Sequence, residues 1–153
     1  MKRVALLGQT DLDWIVSAFA LHRAGYTVLT VSPRLSTQAI VRLMDKTHCE
    51  SMIYRESPQL IKTASSLKEE NSIQILPMMC RKDYDKPDST EPRFVREVDR
   101  NVERGRIALI QHSSGSTGLP KAIYSKHVRY TTPYPIGPGN REVMTLPLSV
   151  RYL

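Results

Sequence analysis

The chain has 153 residues, of which 41% are hydrophobic and 24% charged, and it carries a formal net charge of +7 at pH 7. Those values fit one ordinary globular domain at most. The longest apolar runs, at residues 4–7 and 26–31, are far shorter than the roughly 20 residues that span a bilayer. The first run also ends at Gly8, too early for a signal peptide. We therefore expect a cytoplasmic protein with no membrane partner.

The first eighty residues alternate between segments typical of strands and segments typical of helices. Short apolar or β-branched runs predict strands at residues 4–7, 26–31, 51–54 and 73–76. Between them, apolar residues recur at helical spacing in residues 11–24, in a segment that begins after Ser36, and in residues 58–70. This alternation predicts an α/β fold, with a mostly parallel sheet flanked by helices and joined by right-handed crossovers.

The ends of these helices carry recognisable signals. Thr10 or Asp11 can cap the first helix, Ser36 the second, and Ser57 the third, where a proline follows at the first helical position. Gly25 is a good left-handed stop for the first helix. The apolar stripe of the first helix consists of Trp14, Ile15, Ala18, Phe19 and Leu21. Its tryptophan most simply belongs to the core.

Residues 81–106 break the alternation, because fifteen of these 26 residues are charged. We interpret them as a solvated excursion between strands, with at most a short amphipathic turn at Phe94, Val95 and Val98, and assign the segment no chemistry. Strands are predicted again at residues 107–110 and 121–124. Residues 131–140 hold three prolines and two glycines and predict a loop, and a last strand is predicted at 142–146.

The positive charge is concentrated toward the end of the chain, since residues 112–153 have a net charge of +4. A basic tail can bind nucleic acid by releasing counterions from phosphates, and it can equally serve a smaller polyphosphate. No zinc knuckle, aromatic RNA-binding signature or basic heptad region is visible. We therefore do not expect a nucleic-acid partner. A non-catalytic basic module for nucleic acid or an acidic partner remains the alternative function.

The most informative segment follows the strand at residues 107–110. It reads His112-Ser113-Ser114-Gly115-Ser116-Thr117-Gly118-Leu119-Pro120-Lys121. The two glycines permit positive φ and close approach of a ligand to the backbone. Hydroxyls and consecutive backbone N–H groups can donate to phosphate oxygens, and the lysine adds a charge. A flexible Ser/Gly linker would have a similar composition, but the flanking strands favour an ordered turn.

Two common nucleotide-binding motifs are excluded. A Walker A loop has four residues between its first glycine and Gly-Lys-Ser/Thr, whereas Gly115 and Gly118 are three apart and Pro120 precedes Lys121. Gly8, after the first strand, lacks the second and third glycines of the dinucleotide fingerprint. A Rossmann dehydrogenase is therefore poorly supported.

The run from Ser114 to Lys121 resembles the phosphate-binding loop of the adenylate-forming superfamily. That superfamily includes acyl-CoA synthetases, the adenylation domains of nonribosomal peptide synthetases (NRPSs) and luciferases, and its loops read Ser/Thr-Ser-Gly-Ser/Thr-Thr-Gly-x-Pro-Lys. The run from Gln111 to Tyr124 most resembles the adenylation domains of fungal NRPS-like carboxylic acid reductases. Three further segments are similar to the N-terminal subdomain of the family: Val4-Ala5-Leu6-Leu7 with Trp14, Leu21-His22-Arg23-Ala24-Gly25, and Val31-Ser32-Pro33-Arg34-Leu35. We therefore interpret residues 1–153 as a partial AMP-binding (adenylation) domain.

The resemblance implies an enzyme that uses ATP and Mg²⁺ to convert a carboxylic acid into an acyl adenylate and pyrophosphate. Coenzyme A or phosphopantetheine would then accept the acyl group. The resemblance assigns phosphate contacts to Ser113, Ser114, Gly115, Ser116, Thr117, Gly118 and Lys121. It assigns no catalytic residue and no metal ligand, because the family's Tyr-Gly-x-Thr/Ser-Glu motif, ribose-binding Asp and C-terminal lysine are not found. We expect a fragment truncated after the phosphate-binding loop, incomplete as a catalyst or without a stable fold on its own.

Other residues with reactive side chains carry weaker signals. His112 and His127 flank the loop, but no nucleophile or orienting carboxylate is near them in the sequence, so we interpret both as surface or loop histidines. Cys49 beside His48 would suggest a dyad, yet adjacent side chains usually point apart. We interpret Cys49 and Cys80 as buried thiols, with no disulfide and no metal site.

Overall fold

The computed structural model describes residues 2–70, 73–86, 97–113 and 120–128. Within these ranges the predicted alternation of strand and helix is confirmed. The elements in chain order are β1 (Arg3–Leu7), α1 (Leu12–Arg23), β2 (Thr27–Val31), α2 (Thr37–Lys46), β3 (Ser51–Tyr54), α3 (Pro58–Glu70), β4 (Gln74–Pro77), α4 (Arg81–Tyr84), α5 (Arg100–Gly105), β5 (Ile107–Ser113) and β6 (Lys121–Lys126). None of these helices has both the length and the apolar character needed to cross a bilayer. The loop predicted at residues 131–140 and the strand at 142–146 lie outside the described residues.

The six strands form one sheet in the order β4-β3-β1-β2-β5-β6. The first five strands are parallel, and β6 runs antiparallel to β5. Parallel strands all end at the same side of a sheet, so the residues that follow β1, β2, β3, β4 and β5 share one edge, which we call the carboxyl edge. The mostly parallel α/β architecture predicted from the sequence is therefore confirmed.

Alternate side chains of the central strands pack into two cores on opposite faces of the sheet. On one face, Ala5 and Leu7 of β1 join buried side chains of α2 and α3, such as Leu43 and Leu67. On the other face, Leu6 of β1 packs with buried side chains of α1. The helix after β1 therefore covers one face, and the helices after β2 and β3 cover the other.

The helix ends follow the sequence signals. Asp11, and not Thr10, caps α1, since its Oδ1 accepts from the backbone N–H of Trp14 at 2.9 Å. The Oγ atoms of Ser36 and Ser57 accept N–H groups in the first turns of α2 and α3, at 3.3 Å and 3.4 Å. Gly25 follows α1 with φ of 87°, in the left-handed region that favours glycine.

The apolar stripe predicted for α1 is wrong at one position. Trp14 is buried, as expected for a core residue, but Phe19 is 55% exposed. Five residues of α-helix rotate a side chain by roughly 140°, which takes Phe19 away from the sheet when Trp14 faces it.

The prediction for residues 81–106 is also corrected in part. The segment contains the short helices α4 and α5, and Tyr84 at the end of α4 contacts Asp13 of α1. Val98 is exposed and precedes α5, and residues 94 and 95 lie outside the described residues. The described start of this segment is therefore attached to the domain, because the Tyr84 hydroxyl donates a hydrogen bond to the carboxylate of Asp13.

Candidate functional site

The loop singled out in the sequence connects the two strands of a hairpin. β5 and β6 are antiparallel neighbours, and the last residue pair before the loop is Ser113 with Lys121. Facing residues of an antiparallel pair have Cα atoms about 4.5–5.5 Å apart, so the two ends of the loop are held together. Pro120, at the exit of the loop, is buried. The two paired strands predicted on either side of the loop are therefore present, and residues 114–119 lie outside the described residues.

The structure brings together two of the residues predicted to contact phosphate. Ser113 is half-buried and Lys121 is exposed, both at the carboxyl edge of the sheet. A hydroxyl and an ammonium group at one end of a hairpin suit the oxygens of an anionic ligand. The other five predicted residues, Ser114, Gly115, Ser116, Thr117 and Gly118, lie outside the described residues.

His112 connects the hairpin to the neighbouring strand. Its Nε2 accepts a hydrogen bond from the backbone N–H of Ser32, the residue after β2, at 3.3 Å. Because Nε2 is an acceptor, the neutral ring carries its proton on Nδ1. Burial lowers the pKa of His112, and the Ser113 backbone has a smaller opposing effect. The ring is therefore neutral near pH 7.

The Nδ1 atom of His112 is buried and has no hydrogen-bond partner among the described residues. A buried donor without a partner costs about 1–3 kcal/mol. His112 is thus a half-buried strand residue, and its interpretation as a surface or loop histidine is wrong. Its position immediately before Ser113 is visible in the sequence, but the contact with Ser32, 80 positions away, is not.

His127 does not belong to this site. It follows β6 at the end opposite the loop, because Lys126 pairs with Ile107 at the start of β5. Its ring centroid lies 5.8 Å from that of His22 in an edge-on arrangement, and its Nε2 is 3.6 Å from Oε1 of Glu103. A histidine that follows the loop in sequence is therefore far from it along the hairpin.

A second polar cluster lies at the carboxyl edge, where β1 and β3 end. The guanidinium of Arg55 forms ion pairs with Asp11, at 3.2 Å, and with Asp13. The hydroxyl of Tyr84 donates to Oδ1 of Asp13 at 2.6 Å. We call these four residues the Arg55 network. Sequence reasoning identified only the capping role of Asp11, because no local pattern links α1, β3 and α4.

The Arg55 network stabilises its own charges. Hydrogen bonds from Tyr84 and Arg55 lower the pKa of Asp13, although burial opposes them. The hydrogen bond to Asp13 raises the pKa of Tyr84 to about 12. Within the described ranges, no group of three or more His, Cys, Asp or Glu side chains could hold a metal ion. The network therefore fits a structural role better than a ligand-binding one.

The two cysteines have different surroundings. Cys49 is buried, and its Sγ donates to the Ser51 carbonyl at 3.4 Å. Burial raises the pKa of Cys49 to about 11, so the thiol is protonated at neutral pH. His48 is exposed, with φ of 47°, and makes no dyad with Cys49. Cys80 is half-buried, so the interpretation as a buried thiol is correct for Cys49 and only partly so for Cys80.

Comparison with known proteins agrees with the fold and the hairpin. The sequence model of the family described as AMP-binding enzyme matches residues 1–150. The chain belongs to that family. This match identifies the hairpin loop as part of a domain found in adenylate-forming enzymes, and it gives no support to the alternative of a basic nucleic-acid module.

Two fungal proteins show which members of the AMP-binding family this chain resembles. A non-ribosomal peptide synthetase of Acremonium egyptiacum, ascB, is 35% identical over 132 residues, which cover 83% of this chain and 12% of that protein. An adenylate-forming reductase of Aspergillus terreus is 30% identical over 154 residues, covering 90% of this chain and 14% of the other. The resemblance to fungal NRPS-like proteins is therefore confirmed, and the chain spans only a small part of their length.

A solved structure shows the same fold. The luciferase-like enzyme of the mealworm Zophobas morio matches with a TM-score of 0.63 and 25% identity, over 83% of this chain and 31% of that one. The AMP-binding chain thus corresponds to one portion of a larger adenylate-forming architecture.

Proposed function

We propose that this chain supplies the phosphate-binding corner of an acyl-adenylate-forming enzyme. In that reaction a carboxylate oxygen attacks the α-phosphorus of ATP, a P–O bond forms, and pyrophosphate leaves with the electrons of the bond that breaks. The observation that supports the proposal most directly is the pairing of Ser113 with Lys121 across the base of the loop, in a chain of the AMP-binding family.

The proposed site fits the chemistry of a polyphosphate. Lys121 would neutralise charge on the β- and γ-phosphates, while Ser113, Ser114, Ser116 and Thr117 would donate hydroxyl hydrogen bonds. Gly115 and Gly118 would let phosphate oxygens approach backbone N–H groups. Donors positioned where charge develops on a leaving group lower the activation barrier, so the role of the corner is to stabilise the departing pyrophosphate.

Four parts of the proposal concern the longer enzyme that the relatives represent. Mg²⁺ would accompany ATP and offset the charge of its phosphates. A carboxylic acid would be the second substrate, and a thiol of coenzyme A or phosphopantetheine would accept the acyl group. A cytoplasmic location, where ATP is abundant, belongs to the same proposal.

Two lysines on β6 offer a matched test. Lys121 is next to the loop, Lys126 is at the far end of the same strand, and both are exposed. Isothermal titration with pyrophosphate and with ATP-Mg should show binding that weakens about tenfold in Lys121→Ala, because one charge-assisted hydrogen bond is lost. Lys126→Ala should bind like the wild type.

The opposite pattern would reject the proposal. No binding of either ligand to a folded wild-type protein would remove the phosphate site. A salt-sensitive affinity for DNA or RNA that survives Lys121→Ala would favour the basic module instead. Carboxylate-dependent exchange of pyrophosphate into ATP, measured on the same preparation, tests whether the chain completes adenylation alone.

A further inference from the structure

The hairpin contains one buried polar atom that the described residues leave without a hydrogen-bond partner. Nδ1 of His112 is buried without a hydrogen bond to any described residue. The Arg55 network shows the usual arrangement, since each of its ionised groups contacts an opposite charge or a donor. A buried donor that stays unpaired in a native structure calls for an explanation, and catalytic or ligand-linked strain is one of the common ones.

A purely structural role does not explain both ring nitrogens. The Nε2 contact with the backbone N–H of Ser32 joins the end of β2 to β5. A glutamine could make that contact with its side-chain oxygen and leave no second buried ring nitrogen. The additional Nδ1–H therefore lowers stability without a compensating hydrogen bond to any described residue.

The position of the ring relates this donor to the loop. His112 faces Ala122 across the hairpin, one pair before Ser113 faces Lys121. The Ser113 backbone raises the pKa of His112, as a nearby carbonyl does, although Nδ1 makes no hydrogen bond of good geometry with it. A backbone acceptor for Nδ1–H is therefore available on Ser113, the first residue of the proposed phosphate site.

We propose that His112 is a positioning residue that braces Ser113 against the end of β2 when a polyphosphate is bound. The Ser32 N–H fixes the ring through Nε2, and the Nδ1–H then donates to the Ser113 carbonyl, a bond that forms fully only in the complex. The unpaired donor of the free protein gains its partner on binding, which favours the bound arrangement of Ser113. This inference rests on the proposed function, because it needs a polyphosphate at the hairpin.

Two substitutions separate the contacts of the ring. Asparagine places a side-chain N–H close to the position of Nδ1, and glutamine places an amide close to the position of Nε2. We expect His112→Gln to keep the link to Ser32 and to bind pyrophosphate about fivefold more weakly. We expect His112→Asn to recover only part of that loss, because it keeps a donor to Ser113 but loses the link to Ser32 that fixes the donor. Circular dichroism and thermal melting identify any variant that fails to fold.

Nuclear magnetic resonance of the wild type gives a readout that does not depend on variants. The imidazole ¹⁵N shifts of the free protein should show the neutral Nδ1–H tautomer. Addition of saturating pyrophosphate should then shift the Nδ1–H proton downfield and slow its exchange with water. An Nδ1–H signal unaffected by bound pyrophosphate would overturn the inference, as would equal pyrophosphate affinity of wild type and His112→Gln.

The same measurements separate the two proposals. Pyrophosphate binding that depends on Lys121 but not on His112 leaves the phosphate site in place and rejects the brace. Absence of pyrophosphate and ATP-Mg binding to the folded wild type rejects the phosphate site, and the brace with it.

Discussion

The carboxyl edge of the sheet carries two polar clusters. They differ in how many of their polar groups have a hydrogen-bond or ion-pair partner. Where β1 and β3 end, the Arg55 network pairs its charges and the Tyr84 hydroxyl with one another. Where β5 ends, Lys121 is exposed and the buried Nδ1 of His112 lacks a partner among the described residues. The first cluster has little capacity left to bind a ligand, and the second has spare donors and positive charge.

The difference matters because the topology alone favours the Arg55 network as a ligand site. In open α/β sheets, ligands bind where neighbouring strands lead to helices on opposite faces. β1 and β3 form such a pair here, with α1 and α3 on opposite faces of the sheet. Yet a Cβ on Gly8, just after β1, would lie 3.0 Å from Cβ of Arg55, so side chains of the protein fill that crevice. Close packing against Arg55 therefore accounts for the lone glycine after β1.

The largest effect is expected when the Arg55 network loses its cation. Arg55→Ala leaves Asp13, which is buried, without its ion pair, and an unpaired buried carboxylate is strongly unfavourable. We expect a fall in melting temperature of about 5 °C or more. Differential scanning calorimetry measures it, with Arg34→Ala as an exposed control. A melting temperature equal to that of the control would show that the network is not structural.

Removal of one hydroxyl should have a smaller effect. Tyr84→Phe deletes the donor to Asp13 but keeps the ring, so we expect a melting temperature lower by about 2–4 °C. Pyrophosphate affinity should not change, because the hydroxyl contacts α1 and not the hairpin. Tyr124→Phe, in which the residue is exposed on β6, is the control for removal of a tyrosine hydroxyl. Weaker pyrophosphate binding in Tyr84→Phe would mean that the two clusters are coupled.

Acid should destabilise the protein through its histidines before it affects the carboxylates. Burial lowers the pKa of both His22 and His112 below the ordinary 6.5. The unfolded chain therefore binds more protons than the native one as the pH falls through 6.5, and the free energy of unfolding decreases. Asp13, whose pKa is lowered from 3.8, loses its contribution only in stronger acid.

Urea denaturation at pH 7.5 and at pH 5.5 tests this order. The wild type should be less stable at pH 5.5, and His22→Gln and His112→Gln should each reduce the difference between the two pH values. Equal stability of the wild type at both pH values would contradict the assigned neutral state of the two rings.

The smallest effect on stability is expected for Lys121 at the hairpin. Lys121→Ala should change the melting temperature by no more than about 2 °C, because the side chain is exposed and surface substitutions rarely affect stability much. Its loss should be visible only in pyrophosphate or ATP-Mg titrations. A large loss of stability would place Lys121 in the fold and not in a ligand site.

Much of the architecture could be predicted because it depends on local patterns. Runs of apolar residues identified the strands, and side-chain oxygens at Asp11, Ser36 and Ser57 marked the starts of three helices. The resemblance to a phosphate-binding loop was recognisable because the glycines and hydroxyls of such a loop follow one another in sequence. These features need only neighbouring residues, so the sequence contains all the information.

The remaining features depend on residues far apart in the chain. Tyr84 and Asp13 are 71 positions apart, and Ser32 and His112 are 80 apart. Periodicity indicates which side of a strand is buried. It does not indicate that β5 lies beside β2 or that β6 is antiparallel to β5. The charged composition of residues 81–106 also concealed a tyrosine contact, because average polarity says nothing about a single hydroxyl.

The buried thiol of Cys49 gives the protein a reporter of its own opening. Because the thiolate is the reactive form and the pKa of Cys49 is raised to about 11, a maleimide should modify this residue only when the surrounding core opens. In a Cys80→Ser background, the labelling rate would measure how often the core beneath α2 becomes accessible to solvent. A comparison of that rate with and without pyrophosphate would show whether a ligand at the hairpin changes the opening of the core around Cys49.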